Sequence, residues 1–228
     1  MTYPIEKQLL AINQQPLRKS LCIIAHESGN PNNVGANSLA NEIAYMKRNA
    51  HQAFVSHWVG GGGKIIQLAK VGLVQWGAGP YANPYAYAQV ELARTNNLAT
   101  FNKDYAAYVW LLRQLAIEAG LPVTLNTGYN LAEPGIKTHS WISKHIGGTT
   151  HVDPDGYLAS WGISMAQFKQ DIETPTLTNC YLLHLVVRGD TLWSLARKNQ
   201  VSVTDLKRWN SLSSDLILIG QILKVKAL

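Results

Sequence analysis

The chain has 228 residues, 46% hydrophobic and 15% charged, a balance that excludes a disordered or low-complexity protein. No run of about 18 apolar residues is present, so no transmembrane helix is expected, and two cysteines make no disulfide framework. The formal charge of +6 is uneven: the 45 residues from His184 onward carry seven Lys/Arg against three Asp/Glu. In chain order, Leu21–Ala25 reads as a short buried strand that ends at His26. Ser38–Asn49 follows as a helix behind a Ser38 N-cap, with Leu39, Ile43 and Met46 at helical spacing. Ala53–Val59 and Lys64–Leu68, joined by Gly60–Gly63, read as a hairpin, and Ala88–Ala93 as a further strand. Tyr105–Gly120 is a helix whose apolar face carries Tyr108, Leu111, Leu112, Leu115 and Ile117.

Strands alternating with helices predict an α/β domain with a mixed central β-sheet flanked by helices, over residues 1–173. The Thr/Pro/Asn-rich stretch that follows predicts a linker at 174–183. Residues 184–228 predict a small βααβ module: a strand at His184–Val187, a helix capped by Thr191, a second capped by Ser202 or Thr204, and a strand at Ile222–Val225. The excess positive charge of this module suits an anionic partner, although it fits simple solubility as well.

The stretch THSWISKHIGGTTHVDPDGY holds His139, His145 and His151, with Asp153 two residues further on in a Pro/Gly frame. A catalytic zinc takes three protein ligands and keeps one open position. His26, His139 and one of His151 or Asp153 would make such a set. Residue types and spacing leave that last choice open, and each histidine alone is as easily a solvated or hydrogen-bonded residue. His57 points from its strand into a cleft or a hydrogen bond, while His51 and His145 are solvated helix residues. Trp76, Tyr81, Tyr85 and Tyr87, in a Gly/Pro/Asn-rich stretch, line a groove for sugar or peptide or pack internally. Cys22 is a core residue, and a Cys22–Cys180 bridge is open.

Ile24-Ala25-His26, Trp76-Gly77-Ala78-Gly79-Pro80, Gln89-Val90-Glu91 and Thr138-His139 with Gly147 to Pro154 together resemble the zinc-dependent N-acetylmuramoyl-L-alanine amidases. That amidase-2 fold is shared with peptidoglycan recognition proteins. The resemblance runs from about Lys19 to Glu173 and is strongest to amidase domains of phage endolysins and bacterial autolysins. It implies zinc on His26, His139 and Asp153, Glu91 as general base, and His151 as stabiliser of the tetrahedral intermediate. Two departures stand out: Glu27-Ser28 after His26, where many members carry an uncharged residue first, and Asp153 where many carry Cys.

The C-terminal segment Val187 to Ala196, with Gly220 to Val225, resembles a LysM repeat, which implies binding of N-acetylglucosamine units. The implied glycan groove involves Gly189, Asp190, Thr191, Leu192 and Ile217. A wall-binding module fused to a catalytic one raises effective concentration at the wall. The expected partner is therefore bacterial peptidoglycan, with muropeptide in the amidase cleft and glycan on LysM, and neither nucleic acid nor membrane. A nucleic-acid role would rest on charge alone. The competing reading is a recognition protein that binds muropeptide without cleaving it; Glu91 and the complete His/His/Asp set favour the enzyme. MTYPIEKQLL shows no export signal. The expectation is thus a phage endolysin held in the host cytoplasm until release to the cell wall, with a secreted bacterial autolysin as the alternative.

Overall fold

The computed structural model describes residues 2–174 and 181–227. The chain forms two compact units, 1–175 and 176–228. Of the linker expected at 174–183, residues 175–180 lie outside the described residues, as does Cys180; Cys22 is buried and free.

The first unit is built on a six-stranded sheet in the order β1-β4-β3-β5-β2-β6. Its strands are β1 (Ile5–Lys7), β2 (Cys22–Glu27), β3 (His57–Gly60), β4 (Lys64–Gln67), β5 (Ala86–Leu92) and β6 (Gly135–Thr138). Only β3 and β4 run antiparallel; every other neighbouring pair is parallel. A parallel strand covered on both faces reads as a continuous apolar run, and Cys22-Ile23-Ile24-Ala25 is one, wholly buried.

Helices cover both faces. On the face of Ile24 and His26, α1 (Ser38–Asn49) packs Leu39 and Ile43 on Trp58 and Ile66, while α4 (His139–His145) packs Trp141 and Ile142 on Cys22 and Ile24. The short α2 (Gly79–Ala82) adds Ala82 to the same cluster. The other face is covered by α3 (Leu98–Glu118), backed by α6 (Met165–Glu173), which itself follows α5 (Asp155–Ser160).

Three local expectations change. Asn37, not Ser38, is the N-cap of α1, because the Ser38 hydroxyl donates to the Asn33 carbonyl instead. Helix α3 begins at Leu98, seven residues ahead of Tyr105, where the Asn97 side chain accepts from the Thr100 N–H. Ile117 is 57% exposed and lies off the buried face.

The second unit pairs β7 (Tyr181–Leu185) with β8 (Ile222–Ala227) antiparallel. Between them lie α7 (Leu192–Asn199) and α8 (Val203–Trp209). Thr191 and Ser194 close a reciprocal capping box at the start of α7, and Ser202 caps α8. Leu192, Leu195, Leu206, Leu223 and Val225 form the core of this unit.

Candidate metal centre

Strand register brings distant residues together at the C-terminal ends of the parallel strands, where open α/β sheets place their ligands. His26 stands opposite Glu91 on β5, and Ala25 opposite Thr138 on β6. Thr138 then caps α4, its hydroxyl accepting from the Trp141 N–H, so His139 comes directly beside His26 as the first residue of that helix. The Ser140 N–H donates to the Asp153 carbonyl and carries Asp153 back to the same point.

The three side chains converge on one centre. His26 Nδ1 and His139 Nδ1 are 3.0 Å apart. Asp153 Oδ1 lies 3.0 Å from His139 Nδ1, and Asp153 Oδ2 lies 3.4 Å from His26 Nδ1. Among the described residues these are the His, Asp, Glu and Cys side chains grouped closely enough to hold a metal ion. Spacing had left the third place open between His151 and Asp153; the group in the structure contains Asp153 and not His151.

The far nitrogens of both rings are occupied. His26 Nε2 meets Gln89 Oε1 at 3.1 Å, and the Gln89 amide is oriented by donating to Asn83 Oδ1 and the Gln75 carbonyl. His139 Nε2 meets Thr149 Oγ1 at 2.9 Å. The Gln89 carbonyl oxygen only accepts, so a neutral His26 carries its proton on Nε2 and leaves Nδ1 bare. The Thr149 hydroxyl donates or accepts, so a neutral His139 either offers a second bare Nδ1 or donates from it to Asp153. With both Nδ1 atoms bare, the arrangement is repulsive unless a cation sits among them. Ligand atoms about 2.0–2.2 Å from a tetrahedral zinc stand roughly 3.3–3.6 Å apart, close to the separations here. The donor set therefore fits a metal ion.

Supporting contacts fix the ligands further. The Tyr108 hydroxyl donates to the His26 carbonyl, and the Glu27 N–H donates to Asp153 Oδ2. Burial alone would raise the Asp153 carboxyl, but His139 and His26 outweigh it and hold it well below the usual carboxylate range. Burial lowers the affinity of His139 for a second proton, which favours the neutral ring. The Glu27 carboxylate points away from the centre into a two-pronged pair with Arg94, with both contacts at 2.6 Å.

Glu91 shares the sheet face of His26, and its Oε2 is buried without a hydrogen-bond partner. Burial, and then the charges of Asp153, Glu27 and Glu42, push its carboxyl well above the ordinary value. A carboxylate in that state has high proton affinity and a free oxygen, the properties of a general base. His151 stacks on His139 with ring centroids 4.8 Å apart, and its side chain is 70% exposed at the lip of the centre. His57 is not part of the group: its register with Val90 puts it on the opposite sheet face, where its Nδ1 meets Ser56 Oγ and burial lowers its pKa to about 4.

Gln89, Thr149 and Tyr108 hold His26 and His139 in place, yet sequence reasoning gave them no part in the centre. A lone Gln, Thr or Tyr carries no spacing signal; the only hint was that Gln89 falls two residues before Glu91, on the same strand face. In the second unit, Gly189 has a φ of 97°, and Asp190 accepts from His184 Nε2 and the Val187 N–H. The Gly220 N–H donates to the Val186 carbonyl, which ties the start of the β8 approach to the end of β7. Thr191 is occupied as a cap, and Ile217 packs partly against the core. Leu192, also expected in the groove, is 2% exposed and packs in the core cluster of this unit.

Residues 16–156 match the family described as N-acetylmuramoyl-L-alanine amidase, and residues 184–226 match the LysM domain. The chain is 49% identical over 171 residues to the endolysin of Listeria phage A511, covering 75% of this chain and 49% of that one. It is 42% identical over 166 residues to the lytic amidase of Streptococcus pneumoniae phage HB-3, covering 71% of this chain and 49% of the other. The chain thus spans about half the length of these relatives. Among solved structures, the Staphylococcus aureus hydrolase AmiA in complex with its ligand superposes with a TM-score of 0.68 at 29% identity, covering 76% of this chain and 83% of that one.

Proposed function

The chain belongs to the N-acetylmuramoyl-L-alanine amidase family, and on that premise we propose that it is a zinc-dependent peptidoglycan hydrolase of the endolysin type. It would cleave the amide between N-acetylmuramic acid and L-alanine. The observation that carries this reading is the convergence of His26 Nδ1 and His139 Nδ1 on the Asp153 carboxylate, with Glu91 Oε2 unpartnered on the same sheet face.

His26, His139 and Asp153 would hold the zinc, and Gln89 and Thr149 would keep both imidazoles in the tautomer that offers Nδ1. Bound zinc supplies Lewis acidity, making water a nucleophile at neutral pH and polarising the amide carbonyl. Glu91 takes the proton released by the attacking water on Oε2 and delivers it to the departing L-alanine nitrogen, work worth typically ~10²–10⁴-fold. His151, exposed at the lip, donates an N–H to the oxyanion that develops on the carbonyl.

The second unit would hold the substrate polymer. Its glycan groove would use Gly189, Asp190 and Thr191 with the exposed Leu218 and Ile219 of the facing loop, rather than the buried Leu192. No helix is long and apolar enough to cross a membrane among the described residues.

The test compares wild type, Asp153→Ala and Glu91→Gln for zinc content and for hydrolysis of purified peptidoglycan. The reading requires stoichiometric zinc in wild type, loss of zinc and activity in Asp153→Ala, and retained zinc without activity in Glu91→Gln. A Glu91→Gln variant that clears wall at the wild-type rate removes the base.

A further inference from the structure

The two histidines of the centre are held from behind by partners of different kinds. Behind His139 stands a hydroxyl, Thr149 Oγ1, which donates or accepts and so sets no direction before a metal binds. Behind His26 stands a chain of groups whose direction is fixed. It starts at the Ala78 N–H, a backbone donor, which meets Asn83 Oδ1 at 2.8 Å. The same Oδ1 accepts from Gln89 Nε2 at 3.1 Å, so the Gln89 amide turns its nitrogen toward Asn83. The Gln75 carbonyl, 3.3 Å from that nitrogen, pulls the same way. Gln89 Oε1 is thereby left for His26 Nε2, at 3.1 Å, and an amide oxygen only accepts.

The chain is built into the interior of the fold. Gln89 is fully buried, and Asn83 is 9% exposed. A Cβ at position 77 would stand 2.4 Å from Gln89 Oε1, so Gly77 is what lets the turn ahead of α2 close over that side chain.

A carboxylate in front of His26 pulls the opposite way. Asp153 Oδ2 lies 3.4 Å from His26 Nδ1, and a carboxylate draws a ring proton to the nitrogen that faces it. A proton on Nδ1 would occupy the lone pair that a metal ion needs. The place of the ring proton is thus decided between Asp153 in front and Gln89 behind. The fixed direction of the Gln89 amide tips it to Nε2. Were that amide free to turn over, its nitrogen would donate to His26 Nε2 and drive the proton forward onto Nδ1.

We propose that Asn83 is a positioning residue of the metal centre: by locking the Gln89 amide, it keeps His26 Nδ1 bare and ready for a metal ion. The inference rests on the metal-site reading above. Asn83 acts from two hydrogen bonds away, and the direction it transmits comes from a backbone N–H that cannot turn over. An imidazole already in the ligating tautomer binds a metal at once, whereas the other tautomer must first move its proton, which lowers affinity.

The experiment uses the full chain with 15N-labelled histidine, read by NMR for ring tautomers with and without zinc, beside calorimetric titration of zinc. In metal-free wild type at pH 8, His26 carries its proton on Nε2, and zinc leaves it there. In Asn83→Leu, which removes the acceptor, His26 moves toward the Nδ1–H form and zinc affinity falls about tenfold. Asn83→Asp keeps an acceptor oxygen and retains the wild-type tautomer and affinity. A role confined to holding the fold would lower the Tm of Asn83→Leu and leave the tautomer in place. An Asn83→Leu variant that keeps either the wild-type tautomer or the wild-type zinc affinity overturns the proposal, as does an Nδ1–H His26 in metal-free wild type. Should Asn83→Leu fail to fold, Asn83→Ala takes its place, since water entering the vacated space donates as readily as it accepts. A wild type that binds no zinc refutes the metal-site reading; the His26 tautomers of wild type and variant then decide the role of Asn83 by themselves.

Discussion

Replacing Arg94 by Ala isolates the contact that answers the unusual Glu27. The Glu27 side chain is 4% exposed and that of Arg94 21%, and the two meet through paired 2.6 Å contacts. Arg94 also lies over the Tyr157 ring, 5.2 Å from its centroid. Without Arg94, the Glu27 carboxylate keeps only the Gly29 N–H as a hydrogen-bond donor and stays buried near Asp153. Removing one partner of a buried ion pair typically costs ~3–5 kcal/mol. Arg94 is a fifth exposed, so water replaces part of its charge and ~2–4 kcal/mol is the expected loss. For a unit of this size each kcal/mol moves Tm by ~2–4 °C, so the transition of the first unit drops by roughly 4–16 °C. The assay is thermal unfolding by circular dichroism at saturating zinc for wild type, Arg94→Ala, Glu27→Gln and the double variant. Because the loss comes mainly from an uncompensated buried charge, adding Glu27→Gln to Arg94→Ala restores more than half of it. A fall below about 2 °C in Arg94→Ala, or a double variant no more stable than Arg94→Ala, refutes the reasoning.

Four further outcomes follow from particular contacts. Gln89→Leu frees His26 Nε2 and reduces zinc affinity by about 10- to 100-fold in calorimetric titration; unchanged affinity would show that the contact does not orient the ligand. Asp104 accepts from the Gly62 and Gly63 N–H groups, yet burial raises its carboxyl to about 6 and leaves Oδ2 without a partner. A carboxyl raised in the folded state contributes stability that is fully present below about pH 4 and is lost as pH rises through 6, here by roughly 3 kcal/mol. Asp104→Asn should flatten that interval in denaturant unfolding, and an unaltered pH profile would contradict it. Burial pushes the Cys22 thiol up to about 12, so it resists a thiol reagent at pH 8 until the protein unfolds; labelling of native Cys22, located by peptide mapping, would refute the burial. Thr191→Ala removes the capping box of α7 and lowers the stability of the second unit by about 1 kcal/mol, read from its own unfolding transition.

The parts of the fold legible in the sequence are those with one dominant period. The apolar run of β2, the helical spacing of α1 and the glycine turn between β3 and β4 carry such signals, and so does the capping pattern of the second unit. Strand β6 was not legible, because it is four residues long and contains Lys137. That lysine is fully buried, with its ammonium donating to the Thr127 carbonyl and lying 4.3 Å from the centroid of the Trp141 ring. A buried cation satisfied by a loop carbonyl and an aromatic face reads in sequence as an exposed one. Missing β6 hid the reason His139 meets His26: the residue after Thr138 lands beside the residue after Ala25. The candidate residue types were visible in the sequence, whereas spacing alone did not separate Asp153 from His151, which family resemblance did; in the structure Asp153 is the one grouped with His26 and His139. The contacts of Gln89 and Thr149 depend on tertiary approach across 63 and 10 residues, and no local pattern announces them.

The central claim is that His26, His139 and Asp153 hold a zinc ion used to cut the bond between sugar and peptide. Its most direct test is mass spectrometry of purified peptidoglycan digested by the zinc-loaded chain, beside a chelated sample and one restored with zinc. The account predicts glycan strands bearing free lactyl carboxyls and intact stem peptides with a free L-alanine amine, without new reducing ends, abolished by the chelator and recovered with zinc. Stem peptides cut between amino acids, new reducing ends, or undiminished cleavage in the chelated sample would contradict it.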